Sequence, residues 1–149
     1  MYYKVVVSSP FGVLYSIIAR GALQTIYFHN TWVTPPFGPA LAFKTLKDAL
    51  AWVGTRAAEI WGCEGEPYSA GNLHSGLLNL KIEHSGESIR DWWDRGGCGG
   101  SWAVPEGTVA LEHIKLVCFA ARCSNGIPRL SFEGKRILKE EEEKEETHE

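Results

Sequence analysis

Six tryptophans in 149 residues are the side chains with the most recognition chemistry to offer. An indole face stacks on a nucleic-acid base for about 1–3 kcal/mol, and an arginine beside it takes a phosphate through a planar fork. Trp52 and Trp61 fall in helix-like and strand-like settings and read as core. Trp32 falls in a proline-rich segment, Trp92-Trp93 end a helical pattern ahead of glycines, and Trp102 lies just beyond. Trp32, Trp93 and Trp102 can thus line a small nucleotide pocket, with Arg90, Arg95 or Arg20 for the phosphate and His29 among the ligand-binding candidates. The competing reading puts these indoles in the core or at a protein interface, where tryptophan anchors binding.

Acid–base chemistry has fewer candidates. Glu64-Gly65-Glu66 directly follows the strand-like run that holds Trp61. A Glu-x-Glu pair so placed resembles the catalytic turn of arginine-type ADP-ribosyltransferases. The resemblance implies that Glu66 polarises the ribose hydroxyl of NAD and steadies an oxocarbenium-like state, while Glu64 orients the acceptor. Arg20 can stand for that family's early-strand arginine, but no Ser-x-Ser strand lies between residues 21 and 63. The plainer reading is two solvated glutamates on a glycine turn. His29-Asn30-Thr31 matches the His-x-Thr half-motif of two-histidine phosphoesterases, in which one imidazole is the base and a second the acid. His113 is followed by Ile114-Lys115 and supplies no second copy. No Gly-x-Ser-x-Gly elbow occurs. Gly96–Gly100 follows a helix and lacks a phosphate-cradling pattern. No catalytic residue is assigned outside the Glu64, Glu66 and Arg20 alternative, and no cofactor is expected.

Four cysteines (Cys63, Cys98, Cys118, Cys123) allow two disulfides in three connectivities. No secretory leader is evident at the N-terminus, so free thiols in a cytoplasmic protein are the expectation. His113, Cys118 and Cys123 are spaced too loosely for a zinc knuckle, and no metal site is expected from them.

The positioning elements must come from a chain that is 44% hydrophobic and 22% charged, a composition that excludes a disordered polymer, a coiled coil or a collagen-like repeat. Lys139–Glu149 holds seven glutamates against two lysines, which reads as a frayed helix or a disordered tail. The remaining 1–138, a single globular domain, carries a balance of +2 with no basic block, so neither duplex nucleic acid nor a membrane is an expected partner.

Strands are expected at Lys4–Val7, Val13–Ala19 and Gln24–Phe28. Asn30–Pro39 contains three prolines and is expected to be an irregular loop or lid. Thr45 and Asp48 form a capping box, and Leu46, Ala49, Leu50 and Val53 recur at i, i+3, i+4 and i+7, so a helix runs from there to Gly54. Ala58–Cys63 is a strand, 64–76 a surface loop, Leu77–Glu83 a strand, and Glu87–Arg95 a second helix. Thr108–Phe119 is a long strand whose alternation breaks at Ile114, the mark of a bulge. Ser131–Leu138 reads as a closing hairpin. The expected fold is α+β: one domain, a mostly antiparallel twisted sheet with two short helices and long aromatic and glycine-rich loops.

Phe43–Ala49, Glu59-Ile60-Trp61, Pro105–Val109 and His113–Leu116 together resemble small accessory proteins of phages and environmental genomes. The resemblance implies a viral protein of the kind that blocks host defence, binding a nucleotide-like small molecule or a host protein. Exposed aromatics and a free sheet edge make a homodimer a further expectation.

Overall fold

The structure, a computed structural model, describes residues 1–17, 24–35, 40–67 and 107–146. The strands are β1 (Tyr2–Ser8), β2 (Leu14–Ser16), β3 (Ile26–Tyr27), β4 (Trp32–Val33), β5 (Ala40–Phe43), β6 (Ala58–Pro67), β7 (Thr108–Ser124) and β8 (Ile127–Leu130). The helices are α1 (Leu46–Val53) and α2 (Phe132–Glu146). Among the described residues all the pairings between these strands are antiparallel, and one isolated bridge, His29 with Leu116, is parallel. The α+β class and the mostly antiparallel sheet are thus as the residues imply. The expected strand at 77–83, the helix at 87–95 and the glycine-rich loop at 96–100 lie outside the described residues.

The ladder closes on itself. β1 pairs β6 from Tyr2↔Cys63 to Val6↔Glu59, and β6 pairs β7 along its whole length. β7 pairs β5 from Thr108↔Phe43 to Leu111↔Ala40, and Phe43 returns to β1 opposite Tyr3. Alternation along the strands sorts their side chains onto two faces. Val6, Ala40, Ala42, Cys63, Leu111, Ile114 and Leu116 form one buried layer with Leu14 and Tyr27. Tyr3, Val5, Phe43, Ile60, Ala120, Ala121 and Cys123 form the other, against Leu46, Ala49 and Val53 of α1 and Ile137 of α2. Lys4 is buried among the strands; its Nζ donates to the Leu41 carbonyl at 2.6 Å and lies 5.8 Å from the Tyr27 ring centre. Trp52 and Trp61 are half-buried, each packed against one layer.

β6 runs past Cys63 to Pro67, so Glu64-Gly65-Glu66 lies within a strand and not on a turn beyond it. The Asn30–Pro39 loop also holds regular structure: Trp32 and Val33 precede the prolines, and they pair with Lys115 and Ile114 as β4. The expected hairpin at 131–138 is instead the start of α2. Ser131 caps it, its Oγ accepting from the Gly134 N–H at 2.9 Å while donating to the Phe119 carbonyl at 2.7 Å. Gly134 is required there, because a Cβ would collide with the Ala120 carbonyl oxygen. Among the described residues no helix is long and apolar enough to cross a membrane.

α2 takes residues 139–146 of the acidic tail into regular structure, and one of its glutamates is built into the neighbouring helix. Thr45 Oγ1 accepts from the Asp48 N–H at 3.1 Å, as the capping pattern predicts. The Glu141 carboxylate accepts from the Leu46 N–H at 2.6 Å and the Lys47 N–H at 3.1 Å. Three of the four N–H groups left open at that helix start are thereby satisfied, and a negative charge sits at the positive end of the helix dipole. Lys47 reaches back to Glu145 at 3.1 Å.

We expect Glu141→Ala to lower stability by about 1–2 kcal/mol, the range for a lost helix cap. Glu143→Ala, on an exposed part of the same helix, should stay within about 0.5 kcal/mol of the parent. Urea unfolding of both variants checks this, and equal effects would refute it.

A second expectation concerns alkaline pH. Burial pushes the Cys63 thiol up to about 12, against the opposing pull of Lys4. Burial, and then the charge of Glu141, push the Tyr3 phenol up to about 12. In the unfolded chain these groups ionise at their ordinary values of 9.0 and 10.0. The stability they hold is therefore complete below pH 9 and is lost as pH rises toward 12. The urea midpoint should fall across that window, less steeply in Cys63→Ala between pH 9 and 10. An unchanged slope in that variant would count against the assignment.

Candidate functional site

β6 and β7 are not matched residue for residue. The ladder slips between Ile60 and Trp61, between Gly62 and Cys63, and between Glu66 and Pro67. Each slip leaves one extra residue on β7: Ala120, Val117 and Glu112. A bulge of this kind bends its strand and re-aims side chains. The break in alternation expected at Ile114 is the effect of the Glu112 bulge. Leu111 and Ile114 both point into the core, while Glu112 is exposed and His113 half-exposed between them.

Two outward rows of side chains cross β4, β7 and β6 beside that bulge. In one row Trp32 is opposite Lys115 and Lys115 is opposite Glu64. Lys115 Nζ lies 5.1 Å from the Trp32 ring centre and 3.4 Å from Glu64 Oε2. Trp32 is 51% exposed, unusual for a large aromatic that a strand could have buried. In the other row Thr34 Oγ1 is 2.8 Å from His113 Nδ1, and His113 Nε2 is 3.9 Å from Glu66 Oε2. Between the rows Val33, Ile114 and Gly65 are aligned, with Ile114 fully buried. The rows are thus two residues apart along the strands, about 7 Å.

Gly65 explains the glycine in the Glu-Gly-Glu pair. A Cβ there would come within 2.6 Å of Leu111 Cδ1 and 3.0 Å of the His113 carbonyl oxygen. Only a bare backbone lets β6 lie that close to the bulged strand and still carry a carboxylate on either side.

Of the residues singled out from sequence, the structure brings Trp32, Glu64 and Glu66 onto one surface. His29 is placed differently. Its Nε2 meets the Val117 carbonyl at 3.1 Å, and its ring packs 5.4 Å from that of Trp61, on the face of β6 opposite Glu64. It thus meets a main-chain acceptor at the second bulge. Arg20, Arg90, Arg95, Trp93 and Trp102 lie outside the described residues. Cys63, Cys118 and Cys123 are free thiols. Burial raises the Cys118 thiol above its ordinary value, a backbone bond from Gly62 partly opposing it.

Lys115, Thr34 and Glu112 were missed as site residues. A signal existed for the first: Lys115, two residues beyond His113, is complementary in charge to Glu64 of the Glu64-x-Glu66 pair at the same strand spacing, as cross-strand pairs require. For Glu112 the signal was the broken alternation at Ile114, which marks a bulge without saying which residue it turns outward beside His113. His113, Glu66 and Glu112 each place one ligand atom within 4.8 Å of the others. The surface therefore offers an aromatic face with a cation over it, and beside it an imidazole with two carboxylates.

Gly65→Ala is expected to cost about 1–3 kcal/mol through overpacking against Leu111 and to displace the bulge. Loss of any through-space NMR contact between Glu66 and His113, together with a lower melting temperature, would show it. A variant as stable as the parent would mean that the strands can part there freely.

Compared with known proteins, the chain matches no family model, no curated protein and no solved structure, so the reading of this surface rests on its geometry.

Proposed function

We propose that this chain is a non-enzymatic binding protein that holds a nucleotide-like anion on the Trp32–Lys115 platform, in keeping with a viral accessory role. The observation that carries the reading is the half-exposed Trp32 with the Lys115 ammonium 5.1 Å from its ring centre. A planar base stacks on the free part of the indole, and the ammonium, held beside it by the sheet, meets the phosphate. Glu64 sets the condition for binding. At 3.4 Å it holds Lys115, so an incoming phosphate competes with a carboxylate that is itself 58% exposed. The exchange of one weakly held surface ion pair for another costs little.

The test is calorimetric titration with mononucleotides, NAD and cyclic oligonucleotides. Trp32→Ala should weaken binding about 5- to 150-fold, corresponding to about 1–3 kcal/mol of stacking. Lys115→Gln should weaken binding and flatten its salt dependence, and Glu64→Gln, by freeing Lys115, should tighten it. The ligand should be recovered unchanged; its consumption would overturn the non-enzymatic reading. Binding that ignores Trp32→Ala would overturn the platform.

A protein ligand is the second reading, favoured by one observation. Ile26, Phe28 and Trp32 are 44%, 59% and 51% exposed along one short segment, a spacing suited to a partner's apolar surface. In that case no nucleotide binds, and Phe28→Ser and Trp32→Ser together abolish capture of the partner or of a second copy.

A further inference from the structure

Beside the stacking platform, and independent of it, the Glu112 bulge assembles a second arrangement with different chemistry. We propose that Glu66, Glu112 and His113 bind a divalent first-row transition-metal ion such as zinc or manganese.

The donor set is one imidazole nitrogen and two carboxylate oxygens, one ligand atom from each residue, all within 4.8 Å of one another. Three protein ligands with the remaining positions open to water is the pattern of an exchangeable or reactive centre, not of a closed structural one. The imidazole favours zinc over calcium and magnesium, which prefer oxygen alone, and the two carboxylates also suit manganese.

Two features of the fold single these residues out from scattered surface charge. The first is the bulge. Glu112 and His113 are sequence neighbours and would face opposite sides of a regular strand. Leaving Glu112 unpaired opposite the Glu66–Pro67 step turns it outward beside His113. The second is Thr34. Its hydroxyl sits 2.8 Å from His113 Nδ1, which leaves Nε2 facing Glu66. A ligating histidine is held in this way by an outer partner on its other nitrogen.

The spacing leaves room for the ion. Bonds of about 2.0–2.2 Å separate neighbouring ligand atoms by about 3–3.6 Å. The 3.9 Å from Nε2 to Glu66 Oε2 is too long for a direct hydrogen bond, and small rotations of two exposed carboxylates bring the set to that range. The charge is also open. Among the described residues neither Glu66 nor Glu112 meets a lysine or arginine, because Lys115 is held by Glu64 in the adjoining row. A divalent ion neutralises the two carboxylates that the bulge brings together.

The chain has other histidines and cysteines, so the test must locate the ion as well as detect it. Metal-stripped full-length protein is titrated with zinc chloride by calorimetry, and with substoichiometric manganese chloride while amide NMR signals are followed. We expect the amides of Glu66, Glu112, His113 and Thr34 to broaden first. Glu66→Gln, Glu112→Gln and His113→Gln should each weaken the corresponding zinc event at least 10-fold and abolish the selective broadening, while Thr34→Val should weaken it about 10-fold. All four side chains are at least partly exposed, so circular dichroism should confirm that the variants fold. Broadening centred elsewhere, zinc binding unchanged in His113→Gln, or magnesium binding as tight as zinc would overturn the assignment.

Discussion

The structure depends on a mismatch in length between two paired strands. β6 presents Ala58–Pro67 to β7, and β7 answers with Leu111–Cys123, three residues more over the same ladder. A strand with extra residues coils more tightly than its partner. That coiling lets one edge of β7 meet β5, β4 and β8 in turn while the other stays on β6. With a flat β7, the β1–β6–β7–β5 ring would have no means of closing.

Each bulge is also used locally. At Ala120 the carbonyl accepts from the Ser131 N–H at 2.9 Å, and Gly134 of α2 lies against it, so this bulge seats the C-terminal helix. At Val117 the carbonyl is taken by the His29 imidazole, while the neighbouring Leu116 carbonyl accepts from Asn30 at 2.8 Å, so this bulge ties down the segment leading into β4. At Glu112 an acidic side chain is turned beside an imidazole. At the first two slips the carbonyls of the extra residues thus find partners in the elements that pack there.

This division also explains what was legible in the sequence. α1 was readable because its signals are local: Thr45 at the cap, an apolar stripe, and Gly54 turning the chain at φ 56°. α2 was legible only in part: residues 139–149 read as a frayed helix or disordered tail while 131–138 read as a hairpin, because it carries many more charged than apolar residues and so has no strong apolar stripe. It is held from outside, by Ile137 in the core, by Ser131 on β7, and by Glu141 on α1, with Arg136 bridging Glu133 and Glu140 at 2.7 and 2.6 Å. The candidate site divides in the same way. Trp32, Glu64 and Glu66 were identifiable by residue type and spacing. Their partners Lys115, His113 and Glu112 depend on register across strands about fifty to eighty residues apart in sequence, and a register that slips three times cannot be counted from residue numbers.

The ring closure has a consequence for synthesis on the ribosome. β1, β5 and β6 are complete once Pro67 has emerged, but the strand that joins β5 to β6 begins at Thr108 and ends at Ser124. At about 5–20 residues per second, the nascent β1–β6 ribbon waits about 3–11 s for β7. Glutamates at 59, 64 and 66 lie along that waiting strand, and charge on an open strand edge disfavours its pairing with other chains.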